Sequence, residues 1–261
     1  MILILILWGC IEKRGDEKDN TKAEIVTINY AVVKVYPHDT TSFTEGLLFH
    51  NNQLFESTGS PEDLPFTRSV VGAVNLNTGT IDKKVELDRS KYFGEGISFY
   101  NNKLYYLTYI TRVGFIYDES FNLAGQFTLP VKQGWGLTTD GKHLVMSDGT
   151  PRLTFFNPDS LKTVRTLTVN DRHGAITNLN ELEYINGFIY ANVYTTSEIV
   201  KIHPTSGEVV GRLDLSSLTK DAQLKNKNAL ELNGIAYDRV SHNIFVTGKL
   251  WPNIYELRFS H

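Results

Sequence analysis

Glu45 and Glu95 each stand immediately before a glycine and head two similar stretches, "EGLLFHNNQLFEST" and "EGISFYNNKLYYLT", whose starts lie 50 residues apart. Three more stretches share their plan: "WGLTTDGKHLVMSD" from Trp135, "NELEYINGFIYANV" from Asn180 and "NGIAYDRVSHNIFVTG" from Asn233. Each opens on a polar or aromatic residue. Residues at equivalent starts of a repeat become neighbours when the repeats are arranged about one axis. Two carboxylates, an indole and two amides gathered around one mouth would hold a small polar substrate. The glycines beside them are expected to allow tight turns and to leave room for a ligand.

The elements that carry these residues follow from the same repeat. Each unit reads as a strand, an Asn/Asp/Gly turn and a second strand, and Leu54, Leu104, Leu144 and Ile189 fall eight positions after Gly46, Gly96, Gly136 and Glu181. Short alternating runs such as "FIYANVY", "LTFFN" and "NIFVTG" are rich in β-branched and aromatic residues, and helical periodicity is almost absent. Unit spacings of 40 to 53 residues are those of propeller blades. The sequence therefore predicts an all-β fold, a five-bladed β-propeller. After Gly234 only 27 residues remain, and the segment from Ile25 to Gly46 adds 21, together one repeat. The N-terminal strand "IVTINYAVVKVYPH" is thus expected to complete the last blade beside "NIYELRF", closing the ring and hiding its edges. One short helical insert is expected near 214–230, "DLSSLTKDAQLKNKNAL".

Composition narrows the function classes. With 261 residues, 41% of them hydrophobic, the chain can bury a sizeable core. A formal charge of -3 gives no electrostatic footprint for nucleic acid and no polybasic membrane patch. Cys10 is the only cysteine, so neither an intrachain disulfide nor a cysteine-based zinc site can form. Its setting, "MILILILWGC", resembles a bacterial lipoprotein signal in which the cysteine is lipidated and becomes the mature N-terminus. A plain signal peptide or a mis-assigned start is the alternative, and the run is too short to span a bilayer as a helix. Residues 1–24 therefore read as a leader and disordered tether, and residues 25–261 as one propeller domain. The expected location is outside the cytoplasmic membrane, periplasmic or at the cell surface, with the membrane reached only through a lipid on Cys10.

Several chemistries lack their motifs. The seven histidines show no metal-ligand spacing such as HExxH, so no metal-ligating residues are assigned. No GxSxG elbow, Walker loop or GxGxxG segment is present. "TDG" at 139–141 and "SDG" at 147–149 read as hairpin turns rather than calcium loops.

"FTEGL", "FESTG", "YFGEG", "GFIYD", "GWGLTTDGK", "SDGT", "LNELEYINGFIYANVY", "LNGIAYD" and "VTGKLWPNIYEL" together resemble the plant-type and bacterial glutaminyl-peptide cyclotransferases over about Tyr36 to Phe259. The resemblance implies a five-bladed propeller, in agreement with the repeat count. It also implies conversion of an N-terminal glutamine of a peptide to pyroglutamate with release of ammonia, without a catalytic metal. Such chemistry needs a neutral α-amine, stabilisation of oxygen charge in the tetrahedral state and a proton for the departing nitrogen, and one carboxyl group can serve both proton transfers. By the resemblance Glu95 is the catalytic acid/base. Lys249 and Asn180 stabilise developing oxygen charge, Glu45 binds the substrate's amine or amide, and Trp135 packs on the glutamine side chain. Tyr109 and Tyr194 stand where relatives often carry tryptophan, keeping an aromatic wall with less area and an added hydroxyl. A structural ion on the propeller axis, calcium held by backbone oxygens, is a further implication.

Plainer roles exist for each. Glu95 could be a solvated turn residue, Lys249 a surface lysine, and Asn180 and Asn233 turn caps. Trp251 reads best as packing between blades, and Glu181 and Glu183 as structural. Two functions from different classes follow: a cyclotransferase, or a lipid-anchored propeller that binds peptides or another ligand at the same mouth without turnover. The set Glu45, Glu95, Trp135, Asn180 and Lys249 favours the enzyme.

Overall fold

The computed structural model describes residues 25–261; Cys10, the leader and the tether lie outside them. Five antiparallel sheets form the blades of a propeller. Their innermost strands are Thr44–His50, Gly94–Tyr100, Leu137–Thr139, Leu179–Ile185 and Leu232–Tyr237. These strands succeed one another around the axis, and Leu232–Tyr237 returns to pack against Thr44–His50. We number the blades 1 to 5 in that order.

Turn chemistry explains the tight inner hairpins. Asn51–Asn52, Asn101–Asn102 and Asn186–Gly187 all have positive φ, as the two-residue turns that match strand twist require, and Asn and Gly tolerate it best. The apolar residues that follow, Leu54, Leu104, Leu144 and Ile189, are each at most 1% exposed. They belong to apolar clusters formed mainly between neighbouring sheets. Truncating any of them to alanine would cost about 2–5 kcal/mol.

Closure follows the expectation with one refinement. Ala31–Pro37 pairs antiparallel with Asn253–Arg258 and becomes the outer strand of blade 5. Val26–Thr27, the first part of the same sequence run, instead pairs parallel with Val209–Asp214 on the edge of blade 4. The N-terminal segment therefore staples two blades. The insert is shorter than expected: the helix α1 covers Ser216–Lys225 and buries only Leu218 and Ala222. Beyond it, Asn226 adopts an extended conformation and its side chain donates to the Leu250 carbonyl, which ends the helix.

Candidate active site

Four of the inner strands break their ladders at the start. Register shifts fall between Thr44 and Gly46, Gly94 and Ile97, Leu179 and Leu182, and Leu232 and Ile235. Glu45, Glu95, Asn180 and Asn233 sit inside those irregularities. A bulge takes a residue out of the strict alternation of a strand and re-aims its side chain. In blade 3 the strand is short, and Trp135 precedes it. Its N–H donates to the Ser147 carbonyl at 3.1 Å, while Ser147 Oγ accepts from the Gly136 N–H at 2.8 Å and donates to the Asn180 carbonyl at 2.6 Å. Ser147 thereby ties the backbones of Trp135 and Asn180 together.

The glycines have a different purpose from the one expected. A Cβ on Gly96 would lie 2.5 Å from Leu137 N, and one on Gly136 would lie 2.2 Å from the Asn180 carbonyl oxygen. Both positions are glycine because the next inner strand passes against them. They set the spacing of the site residues around the ring; they do not clear space for a ligand.

A cavity of about 510 Å³ at this end of the axis is lined by Glu45, Glu95, Trp135, Asn180, Lys249, Tyr109 and Tyr194. All seven pocket residues expected from the sequence are brought together. Lys249 is not a surface lysine: it is 3% exposed, and its ammonium donates to Glu45 Oε1. That ammonium also lies 4.1 Å from the centroid of the Phe43 ring, a favourable cation–π position. The loop bearing Lys249 is held by its N–H to the Glu231 carbonyl at 3.0 Å and by the Leu230 N–H to its carbonyl at 2.9 Å. Asn233 lies behind Glu45, donating from Nδ2 to Glu45 Oε2 at 3.1 Å and to the Thr44 carbonyl at 3.0 Å. It positions the carboxylate instead of facing the cavity. Asn180 lines the cavity, and its Oδ1 is buried with no hydrogen-bond partner among the described residues.

Burial dominates the electrostatics. It pushes the Glu45 carboxyl up to about 7, against the pull of Lys249. Glu95 is pushed well above the carboxylate range by burial, with the Glu45 charge adding and Lys249 opposing. Its main chain is fixed by Ser57 Oγ, which donates to the Glu95 carbonyl at 2.7 Å. Glu95 is thus a buried carboxyl group whose hold on a proton is strengthened by burial, in the same cavity as the Lys249–Glu45 pair.

The cavity wall is aromatic. Trp135 meets Tyr194 edge-on with centroids 5.7 Å apart, and its Nε1 donates to Gln133 Oε1 at 3.2 Å. Phe43 meets Phe93 edge-on at 6.1 Å, and Phe93 meets Tyr109 at 5.9 Å. Phe43 and Phe93 carried no assignment from the sequence, although each precedes its glutamate by two positions in "FTEG" and "FGEG". The repeat marks them as clearly as it marks the glutamates. Arg89 also lines the cavity and likewise carries no assignment from the sequence.

Other expectations resolve as structural roles. Glu181 accepts the Leu47 N–H at 3.3 Å and the Ile235 N–H at 2.8 Å, stitching blade 4 to blades 1 and 5. Glu183 accepts the Tyr237 N–H at 3.0 Å. Trp251 is buried and donates from Nε1 to the Leu230 carbonyl. Among the described residues no group of three or more His, Cys, Asp or Glu side chains is arranged to hold a metal ion.

A family model described as glutamine cyclotransferase matches residues 1–259. A glutaminyl-peptide cyclotransferase of Arabidopsis thaliana is 38% identical over 230 residues, covering 87% of this chain and 70% of that protein. The crystal structure of Myxococcus xanthus glutaminyl cyclase superimposes with a TM-score of 0.81 at 34% identity, covering 91% of this chain and 99% of the other.

Proposed function

This chain belongs to the glutamine cyclotransferase family, and from that premise we propose how its own residues carry out the reaction. The enzyme closes the N-terminal glutamine of a peptide to pyroglutamate and releases ammonia. The observation that carries the mechanism is the buried Glu95 carboxyl facing the same cavity as the Lys249–Glu45 pair.

The substrate's α-amine has an ordinary pKa of about 7.7–8.0, so a usable fraction is neutral near pH 8. The glutamine side chain lies along the wall of Trp135, Tyr194 and Tyr109, which excludes water from the amide. As the amine attacks the side-chain carbonyl carbon, the carbonyl oxygen gains charge and the Lys249 ammonium stabilises it, with the Asn180 amide helping to orient the carboxamide. A donor of this kind is worth roughly 10²–10³ in rate. Glu95 then gives its proton to the departing nitrogen and takes one from the newly bonded nitrogen. Ammonia leaves, the ring amide is neutral, and Glu95 is protonated again. Glu45 holds the Lys249 side chain in place, and Asn233 holds Glu45.

Ammonia release and pyroglutamate formation, followed with N-terminal Gln peptides and with Asn peptides as controls, test the reading. Product from Gln peptides alone supports it, and no ammonia from any Gln peptide removes it. Full activity in EDTA supports proton transfer without a metal; loss restored by added zinc contradicts it. We further propose that the enzyme acts on exported peptides and proteins outside the cytoplasmic membrane, tethered by a lipid on Cys10. Support comes from the leader sequence, and a diacyl mass on the N-terminal peptide of membrane-extracted protein tests it.

A further inference from the structure

The cavity is not centred on the axis. Besides the site residues it extends over blades 1 and 2 only, lined there by Pro61, Glu62, Arg89, Lys91, Tyr92 and Ile110. These residues come from the loop between Thr58 and Val70, the loop between Glu86 and Gly94, and the turn after Thr108. At about 510 Å³ the whole cavity lies in the range of about 300–1,000 Å³ typical of pockets for much larger molecules than one glutamine side chain. We propose that this outer lobe is a subsite for the residue that follows the N-terminal glutamine, and that it selects an apolar side chain there. The proposal rests on the cyclotransferase reading above.

Three observations carry it. The lobe's wall is built in advance: the Arg89 guanidinium donates to the carbonyls of Pro61 at 2.6 Å, Thr67 at 2.6 Å, Pro65 at 3.0 Å and Leu64 at 3.3 Å, binding one loop to the other. Both terminal nitrogens of Arg89 are thereby taken up by main-chain carbonyls, which leaves them little hydrogen-bonding capacity for a substrate although the guanidinium keeps its charge. Lys91 is likewise engaged, with Asp88 at 3.1 Å. Second, Ile110 is 64% exposed on the rim of the lobe. Its turn is fixed by a hydrogen bond between the Thr108 and Thr111 hydroxyls at 2.6 Å, and by the Tyr109 main chain, whose N–H donates to Phe93 O and whose carbonyl accepts from Gly134 N–H. An apolar side chain held out over a cavity gains from a partner that covers it. Third, the acid, lysine and amide lie at the inner end, so a glutamine placed there directs the rest of its peptide outward along this lobe.

Burying a side chain the size of Leu or Phe against Pro61, Tyr92 and Ile110 is expected to raise kcat/KM about 10-fold over glycine at the same position, chiefly through KM. The test compares Gln-Gly, Gln-Leu, Gln-Phe and Gln-Asp peptide amides in the native enzyme and in Ile110→Ser. The proposal expects Leu and Phe to exceed Gly and Asp. It also expects Ile110→Ser to lose most of that advantage while turning over Gln-Gly at the native rate. Equal kcat/KM across the four peptides, with ammonia still released, overturns the subsite and leaves the catalytic reading standing. An equal loss on all four peptides in Ile110→Ser also overturns it. No ammonia from any of them removes the catalytic reading and the subsite with it.

Discussion

Replacing Lys249 by methionine keeps most of a buried stem and removes the ammonium that contacts Glu45 and lies over Phe43. Removing one partner of a buried pair ordinarily costs about 3–5 kcal/mol, because the other charge is left uncompensated. Glu45 has an escape. Burial already raises its carboxyl from 4.5 to about 7 with Lys249 in place, so without the ammonium it takes up a proton at neutral pH. The Asn233 amide, 3.1 Å from Oε2, remains to hold it. The penalty should therefore appear as a pH dependence. A carboxyl raised in the folded state lowers stability as pH climbs above its unfolded value, by ~1.4 kcal/mol per pH unit until the folded value is passed. In the native protein the Glu45 contribution levels off above about 7; in the variant it goes on growing. From pH 7 to pH 8.5 the variant is expected to fall behind by about 2 kcal/mol more. Glu95, pulled down by the same ammonium, adds in the same direction. Urea denaturation of both proteins at pH 6, 7 and 8.5 measures the gap, read as midpoints with unchanged slopes. A gap constant over this range, or one that narrows as pH rises, would refute the coupling of Lys249 to the two carboxyl groups.

Gly136→Ala should lower stability by about 1–3 kcal/mol and lower kcat/KM with it, since its Cβ meets the Asn180 carbonyl oxygen at 2.2 Å. Gly125→Ala, with nothing within 4 Å of the new Cβ, is the silent control, and equal midpoints for the two variants would contradict the strand-spacing role. His38 is buried with Nδ1 2.7 Å from the Trp251 carbonyl and Nε2 3.0 Å from Glu56, so both ring nitrogens face acceptors. Burial opposes its charge, but Glu56 and the carbonyl prevail and the ring is raised above its ordinary 6.5. Its contribution should be complete below pH 6.5 and lost as pH rises through the raised value. His38→Gln should remove that pH dependence and about 3–5 kcal/mol at pH 6; a native-like pH profile of stability in the variant would contradict the assignment.

How far the sequence could be read depended on what repeats and what does not. Glu45, Glu95, Trp135, Asn180 and Asn233 were visible because each heads a unit, and the Asn-Asn turns and the apolar positions at fixed spacing gave the blades. The bulges that carry four of these residues were not visible, since a register shift depends on the partner strand and leaves no local signature. The role of Gly96 and Gly136 was misread for the same reason: their neighbours, Leu137 and Asn180, are 41 and 44 residues away in the chain. Lys249 had no repeat position at all and was found through the resemblance; its pairing with Glu45 is a contact across the closure seam between blades 5 and 1. The split of residues 25–37 between two blades escaped because Val26–Thr27 and Ala31–Pro37 have the same strand composition. Phe43 and Phe93 were legible in the paired "FTEG" and "FGEG", whereas Arg89 gains its meaning only from the four carbonyls that converge on it.

The central claim is that Glu95, and not Glu45, carries the proton between the two nitrogens. Steady-state ammonia release from a Gln peptide, compared between the native enzyme, Glu95→Gln and Glu45→Gln, tests it most directly. Loss of a general acid/base is expected to lower kcat about 10²–10⁴-fold in Glu95→Gln, with KM little changed. Glu45→Gln should retain far more activity, because a neutral amide can still accept from Lys249. A Glu95→Gln enzyme within a few-fold of the native kcat, or a Glu45→Gln enzyme as inactive as Glu95→Gln, would contradict the account.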